Sequence, residues 1–498
     1  MMSLIEFFCS KQFRSASIAT VLIMGTFLYI GWSSPAIPLL TSSNSPIGVE
    51  LTKKESSWVV SVLALGIMPG SVIITFLVDS IGRKKAMLVG AVLVIAPWIL
   101  IIFAQSFIML LVARLVGGFG YSLSVGVIPL YIGEISETHN RGTLCSFPPI
   151  GTVLGSVLVY TIGPFVSFTT LAIICASVPM IFVVGFYFIP ESPYYLVKTN
   201  QPEAARNTLR YLTETDNVDE WFNEIETIIH NDGASKFKLS ELLYGRNHRK
   251  SFMIVIGRCS PKLYTKLTIH IAALKTVAIF SGSVVINSYM QTILEESQTS
   301  LSVQTSSVIF AAIQIPCGAN IRIFYTIHFT IFVSVIMSSY LMDKLGRRLL
   351  LIISSSGCAV SLAGEGMYFY LLQRKDVDLS NAYFVPTLCL TLNYIMMWFG
   401  IANLQFVAAG ELFTPKAKKM GGTVFAFYSG FLIFITSKIF TPIIEVWGMH
   451  VAFWIFAGVC VLAILFGLFV LPETKGKTFE EIQEMLYGKR APKEHNNT

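Results

Sequence analysis

Residues 79–84 read Asp79-Ser80-Ile81-Gly82-Arg83-Lys84, and residues 343–348 repeat the pattern as Asp343-Lys344-Leu345-Gly346-Arg347-Arg348. Each copy follows a pair of long apolar runs, so the two copies mark the same point in two successive repeats. An acid, a glycine and paired bases within six residues describe a tight turn between two helices, with glycine supplying the turn conformation. Two further pairs keep the same order along the chain. Gly133-Glu134-Ile135 precedes Arg141 by the spacing at which Gly410-Glu411-Leu412 precedes Lys418. Pro190-Glu191-Ser192-Pro193 and Pro472-Glu473-Thr474-Lys475-Gly476 then each close a repeat. Three paired motifs in one order point to an internal duplication.

The runs between these motifs have membrane-spanning length, since a bilayer core of roughly 30 Å needs about 20 apolar residues in helical form. The first half supplies Ile18–Leu40, Ser57–Val78, Ala86–Phe103, Phe107–Tyr131, Leu144–Ile162 and Phe168–Ile189. The second supplies segments near Leu274–Ile293, Ser306–Met342, Leu349–Leu372, Ala382–Leu412, Gly422–Val446 and Val451–Leu471. The expected fold is therefore an all-α membrane protein with twelve transmembrane helices. Expected boundaries are a first bundle over 1–189, a cytosolic helical linker over 190–250, a second bundle over 251–472 and a tail over 473–498. Basic residues cluster in the turns at Arg83, Lys84 and Lys85, at Lys344, Arg347 and Arg348, and in the middle segment at Arg246, Arg249 and Lys250. All fall on one side, which the positive-inside rule makes cytosolic, and both termini go with it. No cleavable signal peptide is expected, because the first apolar run is long enough to span and lacks a small-residue cleavage site.

Composition excludes several classes of protein. Hydrophobic residues make up 54% and charged residues 13% of the 498, against about 25% charged in soluble domains. The 37 Phe residues argue against a disordered chain. Eight cysteines are scattered with no CxxC pair, which indicates neither a zinc site nor a disulfide framework. The net charge of +7 comes from the short loop clusters, so membrane orientation explains it and nucleic acid does not. No Ser/His/Asp set, metal cluster or phosphate loop suggests an enzyme, and no cofactor is expected. Gly117-Gly118-Phe119-Gly120 reads as close helix packing.

The three paired motifs, which cover almost the whole chain, resemble the sugar porter branch of the major facilitator superfamily. Within that branch Gly31-Trp32-Ser33-Ser34-Pro35-Ala36-Ile37-Pro38 and Ser437-Lys438 are most similar to insect facilitated trehalose and sugar transporters. The resemblance implies two six-helix bundles that rock about a central site. It also implies a cytosolic latch of ion pairs drawn from Asp79, Arg83, Glu134, Arg141 and Glu191 in the first half, and from Asp343, Arg347, Glu411, Lys418 and Glu473 in the second. The alternative for the loop bases is topological signalling alone. Ser33 occupies the place where proton-coupled sugar porters carry an aspartate, and the first span holds no carboxylate, so facilitated transport is favoured over proton symport. Arg114 and Lys438 fit the family as ionisable residues inside spans. Glu365 matches nothing in it, and either serves function or lies near enough to the outer face to reach water.

The expected pocket departs from the family. Its glutamine pair falls at Ala278 and Ile279, its asparagine at Val284, its fifth-span glutamine at Pro149, and its Asn-Trp at Ser429-Gly430. Gln314 still matches a sugar-contacting amide, and Tyr289, Asn403, Gln405 and Phe406 are the expected replacements, since a neutral polyol is held by amides, hydroxyls and ring faces. Two segments fit neither the family nor a span. Removing 258–273 and 316–332 restores the family length. Both read as translated intron sequence or a gene-model error, the alternative being a longer seventh helix and a bend in the eighth. The first segment would put Arg258, Lys262, Lys266 and His270 at membrane depth, at about 2.5–3.5 kcal/mol per central charge. The expected protein is a monomeric, plasma-membrane facilitator for a small neutral sugar, hexose or trehalose. A non-transporting sugar sensor and a proton-coupled symporter are the alternatives.

Overall fold

The computed structural model describes residues 10–137, 140–145, 147–232, 261–297, 345–374, 382, 384–402, 404, 415–471 and 473. At 141–142, 230–232, 261–269, 271 and 415–421 it describes the backbone alone. Everything regular among these residues is helical. Ten helices are long and apolar enough to cross a membrane, and Val385–Phe399 is a shorter apolar helix. The first six expected spans are present as α1 (Lys11–Leu40), α2 (Lys53–Ile81), α3 (Arg83–Ile102), α4 (Phe107–Ile135), α5 (Phe147–Ile162) and α6 (Phe168–Gly185). The chain then forms α7 (Pro193–Lys198), α8 (Pro202–Thr213), α9 (Asp219–Asp232), α10 (Pro261–Phe280), α11 (Ser283–Glu296), α12 (Arg347–Arg374), α13 (Val385–Phe399), α14 (Pro415–Trp447) and α15 (Met449–Phe469). The expected eighth span lies outside the described residues, as does most of the tenth beyond Phe399.

Local chemistry sets the helix starts. Ser10, Ser106 and Ser167 each accept a hydrogen bond from the backbone three residues on, which satisfies an amide that has no partner in a helix's first turn. At α2 the cap is reciprocal: Glu55 N donates to Thr52 Oγ1 at 3.3 Å, and Thr52 N donates to Glu55 Oε2 at 2.9 Å. Gly82 at φ +88° separates α2 from α3, and Gly346 at φ +86° precedes α12. Only glycine takes that conformation without strain, so the two motif glycines turn the chain alike.

The chain divides into two compact units. The first comprises residues 1–235, 284–317 and 426–442. In it α2 packs along α4, α3 along α4 and α1 along α5. A Cβ on Gly118 would stand 2.9 Å from the Gly66 Cα, so α2 and α4 meet backbone to backbone and the Gly117-Gly118 reading holds. Aromatic rings fill the centre, with Tyr29 and Trp98 centroids 4.4 Å apart and Trp32 and Phe168 5.6 Å apart. The amphipathic α8 and α9 bury Leu209, Leu212, Phe222 and Ile225, most of them in a small core shared with Leu196 of α7.

The second unit comprises residues 236–283, 318–425 and 443–498. Here α12 packs along α15 and against α13, with the rings of Phe369 and Phe453 stacked 5.7 Å apart. Ser354 Oγ donates to Met396 O at 2.6 Å and accepts from Ile401 N at 3.1 Å, which ties α12 to the end of α13. Residues 261–273 continue without a break into the seventh span, the longer helix that was the alternative reading of the first unmatched segment, and His270 Nε2 stands 3.2 Å from Val470 O, just past the last residue of α15. Arg258 and residues 316–332 lie outside the described residues.

Candidate functional site

The turn after α2 organises a cluster of charges in the first unit. The Gly82 turn aims the Arg83 side chain back along α4, where its guanidinium grips Glu134 with two bonds of 2.7 Å. Both side chains are about nine-tenths buried, at 8% and 11% exposure. A buried two-pronged pair of this kind is geometrically strict. Removing one partner strands the other charge, at about 3–5 kcal/mol. Ser192 Oγ also donates to Glu134, and Tyr131 Oη donates to Pro190 O at 2.9 Å. Asp79 stands 3.9 Å from Arg83 but 2.9 Å from Lys198 of α7, its closer partner.

Glu191 does something different. Its carboxylate accepts from the backbone amides of Arg83 at 2.9 Å and Lys84 at 3.1 Å, the free donors at the start of α3. An anion at a helix N-terminus is stabilised by those donors and by the helix dipole. The second unit repeats the arrangement: Glu473 accepts from Arg347 N at 3.0 Å and Arg348 N at 3.1 Å. Expected ion-pair partners thus serve as helix caps donated by the end of each half. Asp343 and Glu411 lie outside the described residues, and the side chains of Arg141 and Lys418 are not described.

Within the spans of the first unit, Arg114 of α4 is 1% exposed. Its Nε donates to Val59 O at 3.0 Å, one terminal nitrogen donates to Tyr29 O, and the other reaches Ser33 Oγ at 2.9 Å. The Tyr29 and Trp32 rings lie 5.4 and 5.6 Å from the guanidinium carbon. Every partner is neutral, and no carboxylate pairs with Arg114 among the described residues. Oxygen lone pairs and ring faces carry the whole desolvation cost of the charge.

Tyr289 lies at a non-helical point of α11, at φ −116° and ψ 16°. The ladder loosens there, and two backbone groups meet side chains of other helices. Tyr160 Oη donates to Asn287 O at 2.8 Å, and Gln291 N donates to Ser34 Oγ at 3.0 Å. Tyr289 itself is 3% exposed, packs its ring 5.1 Å from Phe440, and points its hydroxyl at Thr441 Oγ1, 3.4 Å away. On α14, the Lys438 ammonium lies 4.1 Å from the centre of the Trp58 ring and 3.5 Å from Ser57 Oγ. Of the expected sugar contacts only Tyr289 can be placed, because Gln314, Asn403, Gln405 and Phe406 lie outside the described residues. Ser192, Ser57, Trp58 and Lys198 were not anticipated. The Ser-Pro start of α7 was the available signal for Ser192, and nothing local marked the other three. Glu365 of α12 is wholly buried, which excludes the expected approach to water.

Solved structures share this architecture. The chain is similar to the xylose transporter XylE from E. coli in a partially occluded inward-open conformation, with a TM-score of 0.73, 18% identity, and 94% of this chain and 99% of that one covered. The inward-open form of the same protein gives 0.73 at 19% identity, covering 95% and 99%. The proton:xylose symporter XylE of the major facilitator superfamily bound to 6-bromo-6-deoxy-D-glucose gives 0.67, also at 19%, covering 94% and 98%. At these identities the likeness is one of fold, and it places the chain on the major facilitator architecture. Among curated proteins, the facilitated trehalose transporter Tret1 of Bombyx mori is 27% identical over 97% of this chain and 88% of that protein. The facilitated trehalose transporter Tret1 of Apis mellifera ligustica is 25% identical over 95% and 88%. A family profile matches residues 19–486, a stretch that holds both glutamate-capped turns and the buried Arg114, and by that match the chain belongs to the sugar (and other) transporter family.

Proposed function

We propose that this protein carries a small neutral sugar, a hexose or trehalose, across the plasma membrane by facilitated alternating access. The observation that carries the reading is the Arg114 site. A carrier driven by protons needs a group that gains and loses one beside its pathway, whereas the partners of Arg114 are two backbone carbonyls and the Ser33 hydroxyl. None of them titrates in the physiological range. Membership in the sugar transporter family and the likeness to facilitated trehalose transporters support the sugar as cargo.

In this reading the Arg83–Glu134 pair and its second-half counterpart weight the balance between inward-open and outward-open states. Sugar contacts come from Tyr289, Gln314, Asn403, Gln405 and Phe406, the protein works as a monomer, and both termini face the cytosol. The deciding experiment is uptake of labelled trehalose and glucose into transport-null cells, with and without a proton gradient. Saturable uptake that ignores collapse of the gradient is expected. Uptake that follows the gradient overturns facilitation, and saturable binding without uptake overturns transport.

A further inference from the structure

The middle of α12 holds a carboxylate that the transport reading does not use. Glu365 has no exposed surface, and neither of its oxygens has a hydrogen-bond partner among the described residues. The helices against α12 are α15 and α13. Cys389 on α13 and Tyr368 on α12 itself lie close enough to feel its charge. The other titratable groups on these helices are Tyr394 of α13, His450 at the outer start of α15, and Cys460, which is engaged with Cys358. The nearest arginine in sequence, Arg374, is nine residues along α12, about 13 Å at the helical rise. No cation neutralises the site among the described residues.

An ionised carboxylate must accept hydrogen bonds or face a cation when buried, and its cost is otherwise prohibitive. A metal ion does not meet the need, because it requires several further oxygen ligands and no group of three or more metal-binding side chains stands among the described residues. A proton does meet it, because the neutral acid carries no charge to be solvated and its burial costs far less than that of the ion. We propose that Glu365 is a proton-binding site built into the second unit, occupied while α12 is packed against α13 and α15. It releases its proton to water when that packing opens. The packed form holds the proton, so rising pH favours opening.

The test uses the full chain in lipid nanodiscs and reads no sugar uptake, so its failure is distinct from a failure of the transport reading. Dicyclohexylcarbodiimide, an apolar reagent, takes the proton of a carboxylic acid onto its nitrogen and the carboxylate onto its carbon, then rearranges to a stable acylurea. Mass spectrometry is expected to find the adduct on Glu365 at acid pH, with labelling that falls by roughly tenfold per pH unit once the acid is the minor form. The melting temperature should fall with rising pH in the parental protein and lose that dependence in Glu365→Gln, which keeps the shape of the neutral acid. An unlabelled Glu365 beside other labelled carboxyls overturns the proposal. So does a pH dependence of melting that survives in Glu365→Gln, or a Glu365→Gln protein that fails to fold, since the charge would then be needed.

Discussion

Two arginines of the same unit are buried by opposite means. Arg83, at the turn after α2, faces a full counter-charge in Glu134 through two short bonds. Arg114, among the spans, has three neutral oxygens and two aromatic rings. A pair of opposite charges is restored whenever its partners return, which suits a contact that separates and re-forms. A cation wrapped in neutral oxygens from α1 and α2 has nowhere else to go. The first arrangement suits a moving part and the second a fixed one.

Replacing the fixed part should cost most. Arg114→Leu removes charge-assisted bonds of about 1.5–3 kcal/mol each. The expected outcome is a protein that fails to reach the cell surface, read by surface biotinylation. An Arg114→Leu carrier that reaches the surface and transports at the parental rate would erase the distinction. Glu134→Gln should cost less in folding and more in function. It keeps the shape and one acceptor but removes the counter-charge, and an imbalance of about 1.4 kcal/mol between two states is a tenfold change in their ratio. Surface level should fall part-way, through the stranded Arg83 charge, while uptake per molecule at the surface falls by about that factor. The smallest effect is expected from Tyr289→Phe, which removes the hydroxyl contacts with Thr441 and Ser57, each worth about 0.5–1 kcal/mol. A few-fold change in half-saturation, with maximal rate nearly unchanged, would keep Tyr289 near the sugar.

Most of the fold was legible because the bilayer imposes one simple rule, an apolar run of fixed length, and the duplicated turn motif set the frame. The charge cluster at the turns was legible as residue types but not as geometry. Glu191 and Glu473 stood out as charges, yet backbone amides are silent in a sequence, so their capping of α3 and α12 was not. The bond between Arg114 and Ser33 joins residues 81 apart, and no periodicity announces such a pair. The break at Tyr289 was equally hidden, because it is stabilised by Tyr160 and Ser34 from other helices.

The glutamate caps also bear on how the protein is made. Glu191 lies 108 residues beyond the Arg83 amide it accepts from, and Glu473 lies 126 beyond that of Arg347. During synthesis the free amides of each turn have no carboxylate to meet until the last residues of that half emerge from the ribosome. Each half therefore carries its own completion signal, in which the final acid of the segment closes a turn laid down near its beginning. A nascent chain stalled before either glutamate would display an open helix start at that turn.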